Sequence, residues 1–363
     1  MATEVCEMLE DRIKAGIMER SDGPYRNPWF LVKKKNGKYR LIIGAMKMNS
    51  VTLRDANMPP DADEFAEDFA GCKVVTLMDL FSGYDQILLD PTSRDITAIQ
   101  TPKGLLRMTR LVQGATNSVA QFVRVMETVL HDEVPKTTRV FLDDIGVKGA
   151  KDDYGEKESE ACPGRRKYVV EHLLAVDKVL YLLELAGATI SIPKTEFCQK
   201  GCVAVGWLCD YDGRRANPAK VKAIVEWRKP RNLTDLRSFL GTAVYFRILI
   251  KDFALISAPL YEVTKGKDPK FYWGKDQQEA FEAVKKALSS DPVVLPLNPM
   301  VTPYELIVAV DASKTGWGAV LMQVQRGRRH PARYESGMWS ETEMNYDAGK
   351  REARAALCAL KKF

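Results

Sequence analysis

The chain has 363 residues, 45% of them apolar, which is enough for two or three domains with buried cores. Its net charge of +6 permits nucleic-acid binding without requiring it. No apolar run approaches the roughly 18 residues of a membrane span, and the first residues lack a secretory signal. The seven cysteines follow no disulfide-scaffold spacing. These features exclude a membrane or secreted class and predict an intracellular protein.

The first predicted elements are a helix at about 4–19 and two short strands at 29–32 and 41–43. Between the strands lies Asn36-Gly37, a pair that tolerates the positive φ angles of a type I′ hairpin turn. Lysines surround this pair, so the hairpin has a strongly basic tip.

Strands and helices then alternate, which predicts an α+β chain. A strand at 74–80 carries Asp79 near its end, and apolar runs lie on both sides of Asp143-Asp144. The other predicted elements are helices at 118–130, 169–183, 232–247 and 277–288, strands at 306–310 and 316–323, a final helix at 348–363, a polar loop at 149–166 and a linker at 265–269.

Carboxylates are the most informative polar residues. The three histidines, His131, His172 and His330, fall in no evident triad or metal-ligand pair, so carboxylates and metal ions are the expected catalytic tools. Aspartates on rigid strands supply the hard oxygen ligands that Mg²⁺ prefers, and a pair of such ions clamps the attacking and leaving oxygens of a phosphoryl transfer. Since adjacent strand side chains point to opposite faces, the two members of the Asp-Asp pair need not share one role. The alternative is that the pair marks a turn.

Three segments carry a resemblance to reverse transcriptases. Residues 77–87 resemble the motif of the first aspartate, Phe-Leu-Asp-Asp at 141–144 resembles the Tyr-X-Asp-Asp box, and 113–122 is similar to the segment beside the incoming nucleotide. Residues 205–208 and 230–241 are similar to the primer-grip region and to a thumb signature. The resemblance is greatest to gypsy-type LTR-retrotransposon polyproteins (Metaviridae) and covers about residue 5 to the end.

This resemblance implies a right-hand polymerase fold followed by a partial ribonuclease H-like α/β domain. The implied divisions are fingers and palm at 1–210, thumb at 211–266 and the ribonuclease H-like domain at 267–363. The implied activity is RNA-directed and DNA-directed DNA synthesis that extends a primer 3′-hydroxyl. The implied partners are an RNA template, a DNA primer, an RNA–DNA hybrid and deoxynucleoside triphosphates, in a cytoplasmic virus-like particle or the nucleus.

By the same resemblance, Asp79, Asp143 and Asp144 are the catalytic residues. They would bind two Mg²⁺ ions, with Mn²⁺ as an alternative metal. Asp79 and Asp143 would be the principal ligands, and Asp144 would support them.

The resemblance also implies contacts with the incoming nucleotide. Lys34 and Arg40 match the basic residues that hold its triphosphate, in keeping with the affinity of cationic side chains for phosphate. Tyr84 matches an aromatic residue that crowds the sugar 2′-carbon and excludes a 2′-hydroxyl. Gln113 matches a sugar contact, and Gly114 allows close backbone approach. The alternatives are a core role for Tyr84, and a solvated tip or a localisation signal for the basic hairpin.

Basic residues near the thumb are candidate contacts to duplex phosphates, although for any single one of them a solvated surface charge is the favoured alternative. They are Arg214, Arg215, Lys220, Lys222, Arg228, Lys229, Arg231 and Arg237. Cys198, Cys202 and Cys209 suggest zinc, but no fourth ligand follows at a suitable spacing. The chain departs from the family pattern at Phe141, at Val119 and at 44–46, which affects expected fingers contacts and leaves the expected metal site intact.

A second carboxylate pair lies near the end of the chain. Residues 311–320 resemble the opening of a ribonuclease H domain, with Asp311 at its first carboxylate. Residues 346–363 resemble its first helix, with Glu352 at the second carboxylate. The family uses further carboxylates beyond this helix. We therefore expect an incomplete set and little or no ribonuclease H activity.

Two rival functions are compatible with these patterns. One is a decayed or domesticated retroelement fragment that binds nucleic acid without catalysis. The other is a DNA-dependent polymerase of the palm type, against which the ribonuclease H-like segment argues.

Overall fold

The computed structural model describes all residues except 1, 34–36, 38, 58–60, 153, 267, 299–300, 302 and 326. It divides into two compact units: the first contains Met1–Phe65 and Val74–Gln199, and the second contains Ala66–Lys73 and Lys200–Phe363. Within the described residues, no helix combines the length and the apolar character that a bilayer crossing needs.

Helices and strands are interspersed along both units. The helices are α1 Ala2–Lys14, α2 Met46–Ser50, α3 Ala62–Phe69, α4 Gly83–Gln86, α5 Ser118–Val129, α6 Lys167–Leu185, α7 Pro218–Val225, α8 Leu233–Tyr245, α9 Phe253–Glu262, α10 Lys275–Ser289, α11 Glu341–Met344 and α12 Ala348–Lys362. The strands are β1 Met18–Arg20, β2 Trp29–Lys33, β3 Tyr39–Ile43, β4 Val75–Asp79, β5 Ile99–Thr101, β6 Gly104–Met108, β7 Thr138–Phe141, β8 Asp144–Val147, β9 Glu196–Gln199, β10 Gly201–Ala204, β11 Trp207–Asp210, β12 Gly213–Ala216, β13 Leu306–Ala312, β14 Gly316–Gln325 and β15 Arg328–Met338.

A four-stranded antiparallel sheet organises the first unit, with strand order β7-β8-β4-β9. Helices α5 and α6 cover the sheet, because each carries an apolar stripe at helical spacing. Phe122 of α5 and Val179 of α6 are fully buried with Met78 and Ile145 of the sheet. This core holds β4 and β8 rigidly, and these two strands carry the first carboxylates.

Smaller elements complete the first unit. Strands β2 and β3 form the predicted antiparallel hairpin, and β1-β6-β5 form a second sheet. These elements share a core with α1, in which Leu9, Ile99 and Leu106 are fully buried. The predicted first helix is shorter than expected: α1 ends at Lys14, Gly16 adopts φ +67°, and the chain then enters β1. A glycine in the left-handed region is a common helix stop.

The second unit contains two three-stranded antiparallel sheets, β10-β11-β12 and β13-β14-β15. Trp207 of β11 is 1% exposed and packs edge-on against Phe246, with ring centroids 5.2 Å apart. Helix α8 begins after Asn232, whose side chain accepts a hydrogen bond from the Asp235 amide at 2.8 Å and thereby caps the helix.

The last sheet packs against helix α12. Trp317 and Ala319 of β14 are buried with Ala355 and Ala359 of α12. Strand β15 was not predicted, because its segment begins with Arg328-Arg329-His330-Pro331 and lacks a clean apolar alternation. The strand is instead stabilised by its pairing with β14 at ten registered positions, which the local sequence does not indicate.

Candidate active site

Two neighbouring strands bring the first carboxylates together. Asp79 is the last residue of β4 and Asp144 is the first residue of β8, and the two are directly opposed in the antiparallel register. Opposed residues in such a pair present their side chains on the same face of the sheet. Both aspartates are half-buried. The fold thus joins residues that lie far apart in the sequence.

Asp143 lies in the turn that connects β7 to β8. Phe141 and Asp144 are registered partners, so Leu142 and Asp143 form a two-residue loop. Leu142 adopts φ +55°, the positive angle that a type II′ turn requires at its first central residue. The expectation that Asp143 and Asp144 are consecutive strand residues on opposite faces is therefore wrong, since Asp143 is at the hairpin tip. The Asp143 carbonyl also accepts a hydrogen bond from the Leu80 amide at 3.1 Å, which fixes the tip beside the end of β4.

The carboxylates perturb one another. Burial, together with the charges of Asp143 and Asp79, raises the pKa of Asp144 to about 6. Lys194 opposes this rise, because its ammonium group lies 2.9 Å and 3.0 Å from the two carboxylate oxygens of Asp79. The site therefore concentrates negative charge, and the ammonium group of Lys194 is bound to it.

The donor set fits a hard divalent cation. Mg²⁺ commonly takes one or two protein carboxylates and completes its coordination with substrate phosphates and water. In the described part of the chain, no set of three or more His, Cys, Asp and Glu side chains closes to metal-binding spacing. Asp79, Asp143 and Asp144 therefore do not form a complete ligand set by themselves, and oxygens from a substrate would have to contribute.

Tyr84 lies next to this site, on the short helix α4. Its ring packs against Phe122 with centroids 5.1 Å apart, and burial followed by the charge of Asp143 raises the pKa of its hydroxyl. Gly83 is required here, because a Cβ at this position would lie 2.9 Å from the Phe122 ring. The half-buried Tyr84 thus combines packing against the core with proximity to Asp143.

Gln86 fixes the loop that follows Asp79. Its side-chain amide donates to the carbonyls of Phe81 at 2.6 Å and Thr189 at 2.9 Å, and its carbonyl accepts from the Thr189 amide at 2.8 Å. These three hydrogen bonds connect the Asp79 loop to the chain just before Lys194. The sequence does not indicate Gln86 or Lys194 as a site residue, because each binds a partner more than 100 positions away.

The remaining nucleotide-site candidates occupy separate elements of the first unit. Arg40 is exposed on β3, and Lys34 lies outside the described residues. Gln113 and Gly114 are exposed in a loop, where Gly114 adopts φ +94°. Asn49 holds this loop by donating to the Gly114 carbonyl at 3.1 Å and accepting from the Thr116 amide at 2.9 Å.

One candidate phosphate contact is wrong. Arg214 is only 2% exposed, with its guanidinium carbon 5.1 Å from the centre of the Trp207 ring and its Nη2 3.6 Å from a Glu67 oxygen. A side chain buried in this way cannot reach a nucleic-acid phosphate. Three other candidates, Arg228, Lys229 and Arg231, line an open pocket with Trp227 and Asp235.

The cysteine hypothesis gains no support in the second unit. Cys202 and Cys209 are opposed on β10 and β11, and both are buried. Burial raises the pKa of the Cys209 thiol, which disfavours the thiolate that a metal ligand must be.

The second carboxylate pair has a different environment. Asp311 is on β13, opposite Gly318, and Glu352 is on α12. Both are exposed, and within the described residues neither carboxylate forms an ion pair. The strand that carries Asp311 and the helix that carries Glu352 lie where the sequence predicted them, and the assignment of the two carboxylates to one site stays a prediction.

Curated relatives match nearly the whole chain. The retrovirus-related Pol polyprotein from transposon gypsy of Drosophila melanogaster is 32% identical over 376 residues, which cover 99% of this chain and 34% of that protein. The corresponding polyprotein from transposon 297 of the same organism is 30% identical and covers 99% of this chain and 32% of that protein. The chain spans about one third of the length of these relatives.

Solved structures show the same fold. The foamy viral protease-reverse transcriptase dRH in complex with ds DNA has a TM-score of 0.86 at 22% identity, covering 99% of this chain and 60% of that chain. The foamy viral protease-reverse transcriptase in complex with dsDNA has a TM-score of 0.84 at 22% identity, covering 99% of this chain and 71% of that chain. The predicted α+β class, a right-hand polymerase fold followed by a ribonuclease H-like domain, is confirmed.

Two family models match consecutive parts of the chain. Residues 273–363 match the RNase H-like domain found in reverse transcriptase. Residues 32–225, more than half of the chain, match the reverse transcriptase (RNA-dependent DNA polymerase) model and include all three aspartates of the first site. The chain therefore belongs to the reverse transcriptase family.

Proposed function

We propose that this chain synthesises DNA on RNA and DNA templates by extending a primer 3′-hydroxyl with deoxynucleoside triphosphates. The observation that carries the proposal is the register of Asp79 against Asp144, with Asp143 in the adjoining turn. Reverse-transcriptase membership supports the reaction class, and the similar foamy viral protease-reverse transcriptases form complexes with dsDNA and with an RNA/DNA hybrid. The fingers and palm at 1–210, the thumb at 211–266 and the ribonuclease H-like domain at 267–363 remain our proposed divisions.

Asp79 and Asp143 would hold two Mg²⁺ ions, or Mn²⁺ in their place, with Asp144 in support. Bound metal supplies Lewis-acid stabilisation of the charge on the transferring phosphoryl group. The raised pKa of Asp144 keeps a proton on this side chain more readily than on an ordinary aspartate, and a neighbouring cation would favour its ionised form. Lys194 balances the charge of Asp79 in the arrangement observed.

The other candidates would position the nucleotide. Arg40 and Lys34 bind its triphosphate. Gln113 contacts its sugar, and Gly114 lets the backbone of the same loop approach the ligand closely. Tyr84 excludes a 2′-hydroxyl by its bulk, a role supported by the packing of its ring against Phe122. The segment at 205–208, which contains the turn between β10 and β11, holds the end of the primer.

Primer extension tests the proposal. The full chain is given poly(rA)/oligo(dT), dTTP and Mg²⁺, and is compared with Asp143→Asn and with Asp177→Asn, an exposed aspartate on α6 that serves as the control. We expect extension by the native chain and by Asp177→Asn, and none by Asp143→Asn. Binding of the primer–template without extension by the native chain would overturn the proposal and favour a nucleic-acid-binding remnant.

We further propose that the ribonuclease H-like segment of these 363 residues has little or no nuclease activity. The support is that Asp311 and Glu352 are both exposed and lack the burial of the first carboxylates. Cleavage of the RNA strand of an RNA–DNA hybrid by the native chain, lost in Asp311→Asn, would contradict this.

A further inference from the structure

The turn between β10 and β11 has an unfavourable backbone conformation. Ala204 and Trp207 are registered partners, so Val205 and Gly206 form a two-residue loop. Val205 adopts φ +45° and Gly206 adopts φ +95°, the pair of positive angles of a type I′ turn. Glycine and asparagine adopt such angles readily, whereas a β-branched residue there is a genuine outlier. Something outside the turn must therefore hold Val205 in place.

Two hydrogen bonds fix the carbonyls of this turn. The hydroxyl of Tyr245, the last residue of α8, donates to the Val205 carbonyl oxygen at 2.5 Å. The Asn217 amide donates to the Gly206 carbonyl at 3.1 Å. Both peptide groups of the loop are thus restrained by residues from other elements of the second unit.

The ring of Tyr245 is itself well positioned. Its centroid lies 5.6 Å from that of Trp207 and 5.0 Å from that of Phe246. A Cβ on Gly206 would lie 3.6 Å from the Tyr245 ring, which shows how closely the ring covers the turn. Because the ring is fixed by these contacts, its hydroxyl reaches the Val205 carbonyl with little loss of side-chain freedom.

The restrained turn leaves donors for a ligand. Within the described residues, the amides of Val205 and Gly206 have no acceptor of their own. Backbone amides are common donors to the phosphate and sugar oxygens of nucleic acids. Costly backbone conformations that the surroundings enforce are found preferentially at functional sites. The chemistry of the turn thus suits the sugar-phosphate end of a polynucleotide strand.

We propose that Tyr245 is a positioning residue, whose hydroxyl holds the Val205-Gly206 turn in the shape that binds the 3′ end of the primer. This inference rests on the proposed polymerase function. It assigns to Tyr245 an effect on the rate of extension that acts through the turn and involves no contact with the reacting atoms.

A double-mutant comparison in the full chain tests the inference. Tyr245→Phe removes the hydroxyl and keeps the ring against Trp207, while Val205→Gly removes the cost of the positive φ angle. Tyr261→Phe, a half-buried tyrosine on α9, is the matched control. The measurements are the single-nucleotide extension rate on a poly(rA)/oligo(dT) primer–template, the KM for dTTP and the thermal midpoint Tm.

We expect Tyr245→Phe to slow extension about tenfold or more, the scale of a small misplacement of a reacting group, with an unchanged KM for dTTP. Tyr261→Phe should extend at a rate near that of the native chain. The single variant Val205→Gly provides the reference rate for a turn without the cost of the positive φ angle. The double variant Tyr245→Phe/Val205→Gly should extend to within about threefold of the Val205→Gly rate, because a glycine turn does not need the hydroxyl to hold it.

Three outcomes would overturn the inference. Tyr245→Phe could extend at the native rate, it could lower Tm without slowing extension below that temperature, or it could slow extension as strongly in the Val205→Gly background as in the native chain. Absence of extension by the native chain would overturn the polymerase function and this inference with it, so the two failures are distinguishable.

Discussion

The two sets of carboxylates that the sequence nominated differ in their surroundings. At the first, Asp79 and Asp144 are half-buried on opposed strands, Asp143 adds a third charge and Lys194 binds Asp79. At the second, Asp311 and Glu352 are exposed on a strand and a helix. Both sites share the acidic chemistry that sequence motifs reveal. At the first site, burial and the neighbouring carboxylates raise the pKa of Asp144.

The largest expected difference is in polymerisation. Asp79→Asn should reduce primer extension by about 1,000-fold or more, because a metal-ligating carboxylate supports several kcal/mol of transition-state stabilisation. Asp311→Asn should leave the extension rate within about twofold of the native value. Initial rates with saturating dTTP and Mg²⁺ provide the measurement. Equal losses in both variants would remove the distinction between the sites.

The second largest expected difference between the two sites is in how the folding stability depends on pH. The folded-state pKa of Asp144 lies above the ordinary value of 3.8, at about 6, so the folded chain loses stability as pH rises between these values. A shift of this size corresponds to about 3 kcal/mol. In the presence of EDTA, Asp144→Asn should be more stable than the native chain by up to that amount at pH 8 and equally stable near pH 3.

Urea unfolding across this pH range measures the effect, and Asp311→Asn is the control at the second site. We expect Asp311→Asn to follow the native pH dependence. A gain for Asp144→Asn that is the same at both ends of the range would contradict the assignment to ionisation.

The two sites should also differ in how an added methyl group changes the free energy of unfolding. Gly83→Ala places a methyl group 2.9 Å from the fully buried Phe122 ring beneath Tyr84, and should lower the free energy of unfolding by about 2 kcal/mol. Gly349→Ala, near Glu352 on α12, meets only Asp347 at 3.5 Å and should raise that free energy by about 0.5–1 kcal/mol. Opposite signs in chemical denaturation are the expected result, and a stabilising Gly83→Ala would refute the close packing.

The smallest effect concerns His172, which lies behind the first site. Its Nε2 is 2.8 Å from the Thr76 hydroxyl oxygen, and that oxygen accepts from the Cys198 amide at 3.0 Å, so the hydroxyl proton is available to a neutral imidazole. Burial lowers the pKa of His172, against a smaller contribution from a hydrogen bond with the Lys148 backbone, which raises it. Stability should therefore fall as pH drops below about 6.5, where the unfolded chain takes up the proton first.

His172→Gln should flatten this acid-side decline, measured as the change in unfolding free energy from pH 7.5 to pH 5.5. His330→Gln, in the sheet of the second site, is the control for loss of one histidine and should retain the decline. An unchanged slope in His172→Gln would show that another group causes it.

Sequence patterns predicted the elements whose apolar periodicity is strong. The β2–β3 hairpin, strand β4 and helices α5, α6, α8 and α10 lie close to their predicted positions. Motif order was sufficient to nominate Asp79, Asp143 and Asp144 before any geometry was known. Their metal and catalytic roles, and those of the nucleotide contacts, remain predictions.

The features that the sequence did not predict depend on contacts between segments that are distant in the chain. The turn at Leu142-Asp143 contains no glycine or asparagine, so nothing local indicates a positive φ angle within an apolar run. Lys194 reaches Asp79 across 115 positions, and no spacing rule covers such a distance. Arg214 resembled a surface cation in the sequence, and only the folded structure shows it beneath Trp207.

The segment at 66–73 interrupts the first unit in sequence and belongs to the second. Its Phe69, Ala70 and Cys72 are fully buried, and the Gly71 amide donates to the Asp210 carbonyl at 2.7 Å. The chain therefore passes between the units three times, at 65/66, 73/74 and 199/200. Recombination at a single point near residue 200 would separate residues 66–73 from the strands with which they pack. Two related retroelements that exchange halves of this chain must therefore exchange 66–73 together with the second half to give a folded protein.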